Sequence, residues 1–261
     1  MESIESKKVR VGGLDIHYYR GGQGDPLLVI HGGANGANAW MKNIRELARK
    51  YTVYVPDLPG YGLSQSIEGD YFIPELVDFV DKFSRSLGLR NFHLMGHSLG
   101  GGVALSYALK FPYRVTKLVL VSSLCLGKEI ALWVRVFANC RLCHWLGMPA
   151  LEALKGVKWL AGRLFSGVEL VLPFNQTSID LGRCISNFRE QTTVLKNRLS
   201  EVTVPTLVVW GAKDPIIPAR QAYRAAALIP DCRVKVFAGR GHSVYRDKRG
   251  EFSSLLTDFL G

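Results

Sequence analysis

The chain has 261 residues, 48 % hydrophobic and 21 % charged, a globular balance that excludes disordered and collagen-like chains. Its formal net charge is +11. It has no block of five or six consecutive Lys/Arg, no RNA-binding aromatic signature and no zinc finger, so nucleic acid is not an expected partner.

The start, Met1 to Lys8, is polar and lacks the apolar core of a signal peptide. No uncharged apolar run reaches the ~18 residues of a spanning helix. A cytoplasmic protein is expected. Val9–Val11 and Ile16–Tyr19, parted by Gly12 and Gly13, predict an antiparallel pair. Six short runs rich in β-branched residues follow: Pro26–Ile30, Tyr51–Val55, Asn91–Met95, Lys117–Val121, Pro205–Trp210 and Arg233–Phe237. Near-continuous apolar runs of this length suit strands buried on both faces of a parallel sheet.

Amphipathic stretches lie between them. Trp40, Ile44 and Leu47 recur at helical spacing, as do Leu76, Val77, Val80 and Phe83 before Gly88. Further helices are expected over 99–111, 217–228 and 251–260. The alternation predicts an α/β fold with an eight-stranded, mostly parallel sheet, its first two strands forming an antiparallel edge.

Between Val121 and Pro205 the alternation breaks, and the interval reads as helices without a strand. The expected division is a core of residues 1–124 and 201–261 with a helical cap inserted over 125–200. The charge is uneven across it: residues 1–124 carry a net +3, 125–200 carry +5 and 201–261 carry +3. An insertion at the carboxyl ends of the strands roofs the place where α/β sheets bind ligands. Its apolar residues, Trp133 among them, are expected to line a pocket. Its basic side is a candidate for peripheral contact with an anionic membrane. The composition says nothing of oligomeric state.

Five cysteines (125, 140, 143, 184, 232) do not read as a disulfide scaffold. Cys140 and Cys143 before His144 have the spacing of half a zinc site, but no second Cys-x-x-Cys exists. They read as helix packing, and no metal is expected. Neither dinucleotide nor P-loop glycine motifs occur.

Gly96-His97-Ser98-Leu99-Gly100 follows one predicted strand and precedes an apolar helix. That is the strand–turn–helix setting of a nucleophile elbow, in which Ser98 projects above the sheet. The Leu99 N–H lies where a helix start favours negative charge. A serine hydroxyl needs a base. His242 follows the last predicted strand, and Asp214, before Pro215, follows the preceding one and supplies an orienting carboxylate. Asp57, also at a strand end, is an alternative acid. His97 and His93 read as packing residues, and His17 as uninformative.

With these residues in place the chain resembles the α/β-hydrolase superfamily over essentially its whole length. His31-Gly32-Gly33, the Asp57-Leu-Pro-Gly-Tyr-Gly-Leu-Ser64 turn, the Ser98 elbow, the Trp210-to-Asp214 stretch and Gly241-His242 fall in family order. The resemblance implies Ser98, Asp214 and His242 as catalytic residues, and an oxyanion hole from the N–H groups of Leu99 and of Gly33, with Ala34 as the alternative donor. It also implies that His31 braces the oxyanion loop. Gly32, Ala34, Trp133 and Arg183 are the expected substrate contacts, and no cofactor is required. Serine at the elbow implies acyl-enzyme hydrolysis of carboxylic esters or thioesters.

A second reading comes from His31-Gly-Gly-Ala-Asn-Gly-Ala-Asn-Ala-Trp40. It is similar to the glycine-rich loop of carbon–carbon bond hydrolases acting on aromatic meta-cleavage products. There a cap arginine, here Arg183 or Arg189, would bind the substrate carboxylate. Two positions depart from that subfamily: Ser243 follows His242 where Trp is common, and His97 precedes Ser98 where Asn is frequent. A third reading, of another class, is a ligand-binding receptor with little turnover on the same scaffold.

Overall fold

The computed structural model describes residues 3–33, 36–66, 72–139, 185–187 and 189–261. Eight strands form one sheet: β1 (Glu5–Val11), β2 (Leu14–Gly21), β3 (Asp25–Ile30), β4 (Tyr51–Pro56), β5 (Phe92–His97), β6 (Val115–Val121), β7 (Thr206–Gly211) and β8 (Cys232–Phe237). Their spatial order is β1-β2-β4-β3-β5-β6-β7-β8. β1 pairs antiparallel with β2 and β2 with β4, while the remaining pairs are parallel. Parallel neighbours need a crossover. Helices α1 (Met41–Leu47), α2 (Ile73–Ser86), α3 (Leu99–Lys110) and α5 (Arg220–Ala226) lie in the β3–β4, β4–β5, β5–β6 and β7–β8 connections, while β6 and β7 are joined by the long interval 122–205. The other described α-helices are α4 (Leu132–Asn139), α6 (Val244–Asp247) and α7 (Arg249–Leu260).

The side-chain period of two splits the sheet between two cores. Leu28 and Ile30 of β3 face one core, with α2, α3 and α5 packed upon it. Leu27 and Val29 face the other, closed by α1, α6 and α7. Strands β5 and β7 are buried along their whole length, as continuous apolar runs require. Helix α2 shows how its ends are set. Pro74 and Glu75 occupy its first turn, where a missing N–H and a negative charge are both favoured. At its other end Gly88 takes φ 70°, and the Leu89 N–H reaches back to the Ser84 carbonyl.

The boundaries differ from expectation at the sheet edge. β1 begins at Glu5 rather than Val9, because Ser6, Lys8 and Arg10 occupy its exposed face. A one-sided edge strand carries alternating polar residues, which a search for apolar runs misses. The helix expected over 217–228 is shorter, Arg220–Ala226, since Pro215 and Pro218 lie in its approach.

Most of the expected cap, including Arg183, His144, Cys140, Cys143 and Cys184, lies outside the described residues. The described ends of that interval meet. The Leu195 N–H donates to the Cys125 carbonyl and the Gln191 N–H to the Lys128 carbonyl. The Gln191 side chain accepts from the Cys125 N–H at 2.9 Å and donates to the Glu129 carbonyl at 3.0 Å. The outgoing and returning segments are thereby tied together above β6. Among the described residues no helix is long and apolar enough to cross a membrane.

Candidate active site

The turn between β5 and α3 is tightly constrained. Ser98 sits at φ 54°, ψ −115°, a conformation that costs a non-glycine residue about 1–3 kcal/mol. A Cβ on Gly96 would lie 2.0 Å from the Gly100 carbonyl oxygen, and one on Gly100 would lie 2.2 Å from that of Ile30. Glycine at both places is therefore a steric necessity. The strained turn is held from β6: the Ser98 N–H donates to the Val121 carbonyl, and the Ser98 carbonyl accepts from Leu124. Leu99, whose N–H heads α3, is buried, whereas Ser98 is partly exposed.

The loops after β7 and β8 meet closely. A Cβ on Gly211 would lie 2.1 Å from the Gly241 carbonyl oxygen, and the Lys213 N–H donates to the Arg240 carbonyl at 2.8 Å. This docking brings His242 to Asp214. The His242 Nδ1–H donates to Asp214 Oδ2 at 2.8 Å. Asp214 Oδ1 accepts the N–H groups of Ile216 and Ile217 at 2.9 and 3.0 Å. Burial alone would raise the Asp214 carboxyl, but the His242 hydrogen bond and charge and the two backbone N–H groups outweigh it, holding it below the ordinary carboxylate value. An imidazole held through Nδ1 presents Nε2 as a proton acceptor.

His97 joins these parts. Its ring is buried between Trp40, Tyr245 and His242, and its Nε2–H donates to the His242 carbonyl at 3.0 Å. Burial, reinforced by the neighbouring His242, pushes His97 down to about 3. It is a neutral tether between the Ser98 turn and the His242 loop. The packing role expected for it is correct in kind, but its hydrogen bond to the His242 backbone, 145 positions away, carries no sequence signal.

The loop after β3 leans on the same turn. A Cβ on Gly32 would come within 2.7 Å of His97 Nδ1 and 3.2 Å of Ser98 Cβ, so only glycine lets this loop approach the serine. The His31 Nδ1–H donates to the Gly32 carbonyl at 2.8 Å, and Nε2 accepts the Leu58 N–H at 2.9 Å. His31 thus ties the loop to the turn after β4. The Tyr61 hydroxyl donates to the Gly33 carbonyl at 3.1 Å. Gly33 follows Gly32 in that loop, and Ala34 is outside the described residues. His93 is buried in β5 and bonded through Nδ1 to the Thr116 hydroxyl at 2.7 Å.

Asp57 does not approach His242. Its Oδ2 bonds His17 Nδ1 at 2.7 Å and the Leu63 N–H at 3.1 Å, while Oδ1 accepts the Ala37 N–H at 2.6 Å. His17 is accordingly part of a buried pair, a contact that no local pattern announces across 40 positions.

Trp133, 45 % exposed, donates from its indole to the Pro215 carbonyl at 3.1 Å, and the Ala131 N–H donates to Ile216. The start of α4 is thereby fastened to the Asp214 loop. A cavity of about 280 Å³ borders that loop, with Arg135, Arg189 and Arg220 among its lining residues beside Asp214. Glu129, also in its wall, pairs with Arg220 at 3.3 Å. Arg189 thus lies near the candidate site, while Arg183 is not among the described residues.

Comparison with known proteins follows this geometry. The family model described as alpha/beta hydrolase fold matches residues 25–139 and 170–248. A 2-hydroxy-6-oxo-6-phenylhexa-2,4-dienoate hydrolase of Burkholderia cepacia is 30 % identical over 291 aligned positions, covering 99 % of this chain and 97 % of that protein. The solved hydrolase of the same substrate name from Rhodococcus sp. strain RHA1 superposes with TM-score 0.78 at 20 % identity, covering 100 % and 99 % of the two chains. A carboxylesterase from Bacillus subtilis superposes with TM-score 0.77 at 21 % identity, covering 99 % and 92 %. With that match along most of its length and this sheet, the chain belongs to the α/β-hydrolase family.

Proposed function

We propose that the protein is a serine hydrolase in which Ser98, His242 and Asp214 cleave carboxylic esters or thioesters of apolar acyl or aromatic acids. The observation that carries the reading is the 2.8 Å His242–Asp214 hydrogen bond beside a serine held at positive φ. Ser98 Oγ attacks the carbonyl carbon while His242 Nε2 takes its proton. The tetrahedral oxyanion is received by the N–H groups of Leu99 and Gly33, each such donor being worth about 2.7–4 kcal/mol of barrier. The protonated His242, steadied by Asp214, returns the proton to the leaving alkoxide. Water then repeats the attack on the acyl-enzyme.

A second reading has its own support. The B. cepacia relative is named as a hydrolase of 2-hydroxy-6-oxo-6-phenylhexa-2,4-dienoate and aligns over nearly the whole chain. The arginine-bearing cavity beside Asp214 suits a substrate with a carboxylate. The same serine, histidine and aspartate would serve there, acting on the ketone of a 2-hydroxy-6-oxo-dienoate.

One experiment separates them. Purified protein is assayed on p-nitrophenyl esters of increasing acyl length and, in parallel, on a 2-hydroxy-6-oxo-6-phenylhexadienoate. Higher kcat/KM on an ester supports the first reading; higher kcat/KM on the dienoate supports the second. Activity on neither, together with no labelling by a fluorophosphonate, would overturn both.

A further inference from the structure

A second serine, histidine and aspartate stand in line at the free edge of the sheet. Ser6 lies on β1 and His17 on β2. Their register places Ser6 opposite Tyr19 and Lys8 opposite His17, so Ser6 and His17 are diagonal neighbours on one face. Ser6 Oγ is 2.8 Å from His17 Nε2, and His17 Nδ1 is 2.7 Å from Asp57 Oδ2. The side chains of His17 and Asp57 are only 2 % and 3 % exposed, while Ser6 faces solvent.

The partners of Asp57 point to one arrangement of hydrogen bonds. Its Oδ1 accepts the Ala37 N–H and its Oδ2 the Leu63 N–H, which suits an ionised carboxylate. An ionised Asp57 takes the His17 Nδ1–H, leaving Nε2 as an acceptor for the Ser6 hydroxyl. The atom order is carboxylate, Nδ1, Nε2, hydroxyl, the order that activates a serine. What differs is the backbone: Ser6 lies within a regular strand, with no helix start or tight turn to gather N–H groups on an oxyanion.

We propose that Ser6 is a second acyl-accepting serine, modified stoichiometrically by activated carboxylic esters or thioesters. Its Oγ bonds to the acyl carbon while the bond from that carbon to the leaving oxygen or sulfur breaks. The Ser6 proton passes to His17 Nε2 and then to the leaving group, and Asp57 stays ionised throughout. No oxidant or reductant enters. Without an oxyanion site the Ser6 ester is retained rather than turned over. The inference does not depend on the function proposed for Ser98.

The test uses the full chain carrying Ser98→Ala, incubated with p-nitrophenyl acetate near neutral pH, with adducts located by peptide fragmentation. Ser3, exposed a few residues away, is an internal control for ordinary hydroxyl reactivity. Positioned general-base assistance contributes roughly 10²-fold or more, so acetylation of Ser6 about 100-fold faster than of Ser3 is expected. His17→Asn, which keeps an N–H donor toward Asp57 but removes the base, brings Ser6 down to the Ser3 rate. Labelling of Ser6 no faster than Ser3, or labelling unchanged by His17→Asn, would overturn the proposal. Should that variant fail to fold, the Ser6-to-Ser3 ratio in the Ser98→Ala protein decides alone.

Discussion

The proposed Ser98, His242 and Asp214 site and the Ser6, His17 and Asp57 line share their three residue types and differ in everything around them. Beyond β5, the loops after β3 and β8 close on the Ser98 turn: its backbone is strained, glycines at 32, 96 and 100 clear space for close approach, and α3 starts at the next residue. At the β1–β2 edge, Ser6 sits on unstrained strand and its partners are sealed beneath it. Asp57 there also holds the Ala37 and Leu63 N–H groups, so it fastens the loop after β3 to the turn after β4. The contrast teaches that a relay of three side chains is cheap to assemble on a sheet. The backbone that receives an oxyanion is the harder part, and only one of the two sites has the strand–turn–helix geometry for it.

The largest expected effect breaks the comparison at its centre. Ser98→Ala lowers kcat/KM on whichever substrate the protein turns over by about 10⁴-fold or more, measured in steady state, with the melting temperature little changed. An active Ser98→Ala protein would move the chemistry elsewhere. Next come the two carboxylates, which are expected to separate activity from stability. Asp214→Asn keeps the fold but lowers kcat by about 10⁴-fold, because the amide favours the wrong His242 tautomer. Asp57→Ala instead costs roughly 3–5 kcal/mol in urea unfolding, because it strands a buried partner and two N–H groups. If the phenotypes were exchanged, the assignment of roles to the two sites would be reversed.

His97 sharpens the picture through pH. Its ordinary value is 6.5 and its folded value about 3. Between those limits the unfolded chain binds a proton that the folded chain refuses, so stability falls as pH drops through that window. His97→Gln keeps a donor for the His242 carbonyl and is expected to flatten that slope in urea titrations from pH 6.5 downward. Asp214 acts lower on the scale. Its folded carboxyl titrates below the ordinary 3.8, so its contribution is complete above that value and is lost as pH falls through the folded one. The smallest effect is at Trp133→Phe, which removes one hydrogen bond of a half-exposed indole. It is expected to cost about 0.5–1.5 kcal/mol, read as a shift in the urea midpoint.

Local chemistry made much of this protein legible in one dimension. Apolar runs bounded by glycine or proline mark the buried strands. Gly96 and Gly100 mark the sharp turn at Ser98, since a sharp turn excludes side chains from its own few residues. The order Ser98, Asp214, His242 follows from which loops end on strands. β1 is half hidden, because Ser6, Lys8 and Arg10 on its outer face imitate a polar tail.

The tertiary structure decided what depends on neighbours distant in the chain. It set β4 outside β3, and so brought Asp57 at the end of β4 to His17 on β2 rather than to His242. It placed His97 against the His242 carbonyl, and it paired Ser6 with His17 across the edge of the sheet. None of these contacts leaves a pattern in adjacent residues. A turn reports its own sterics, whereas a buried polar pair is set by which strands lie side by side and by the need to satisfy every buried donor and acceptor at once.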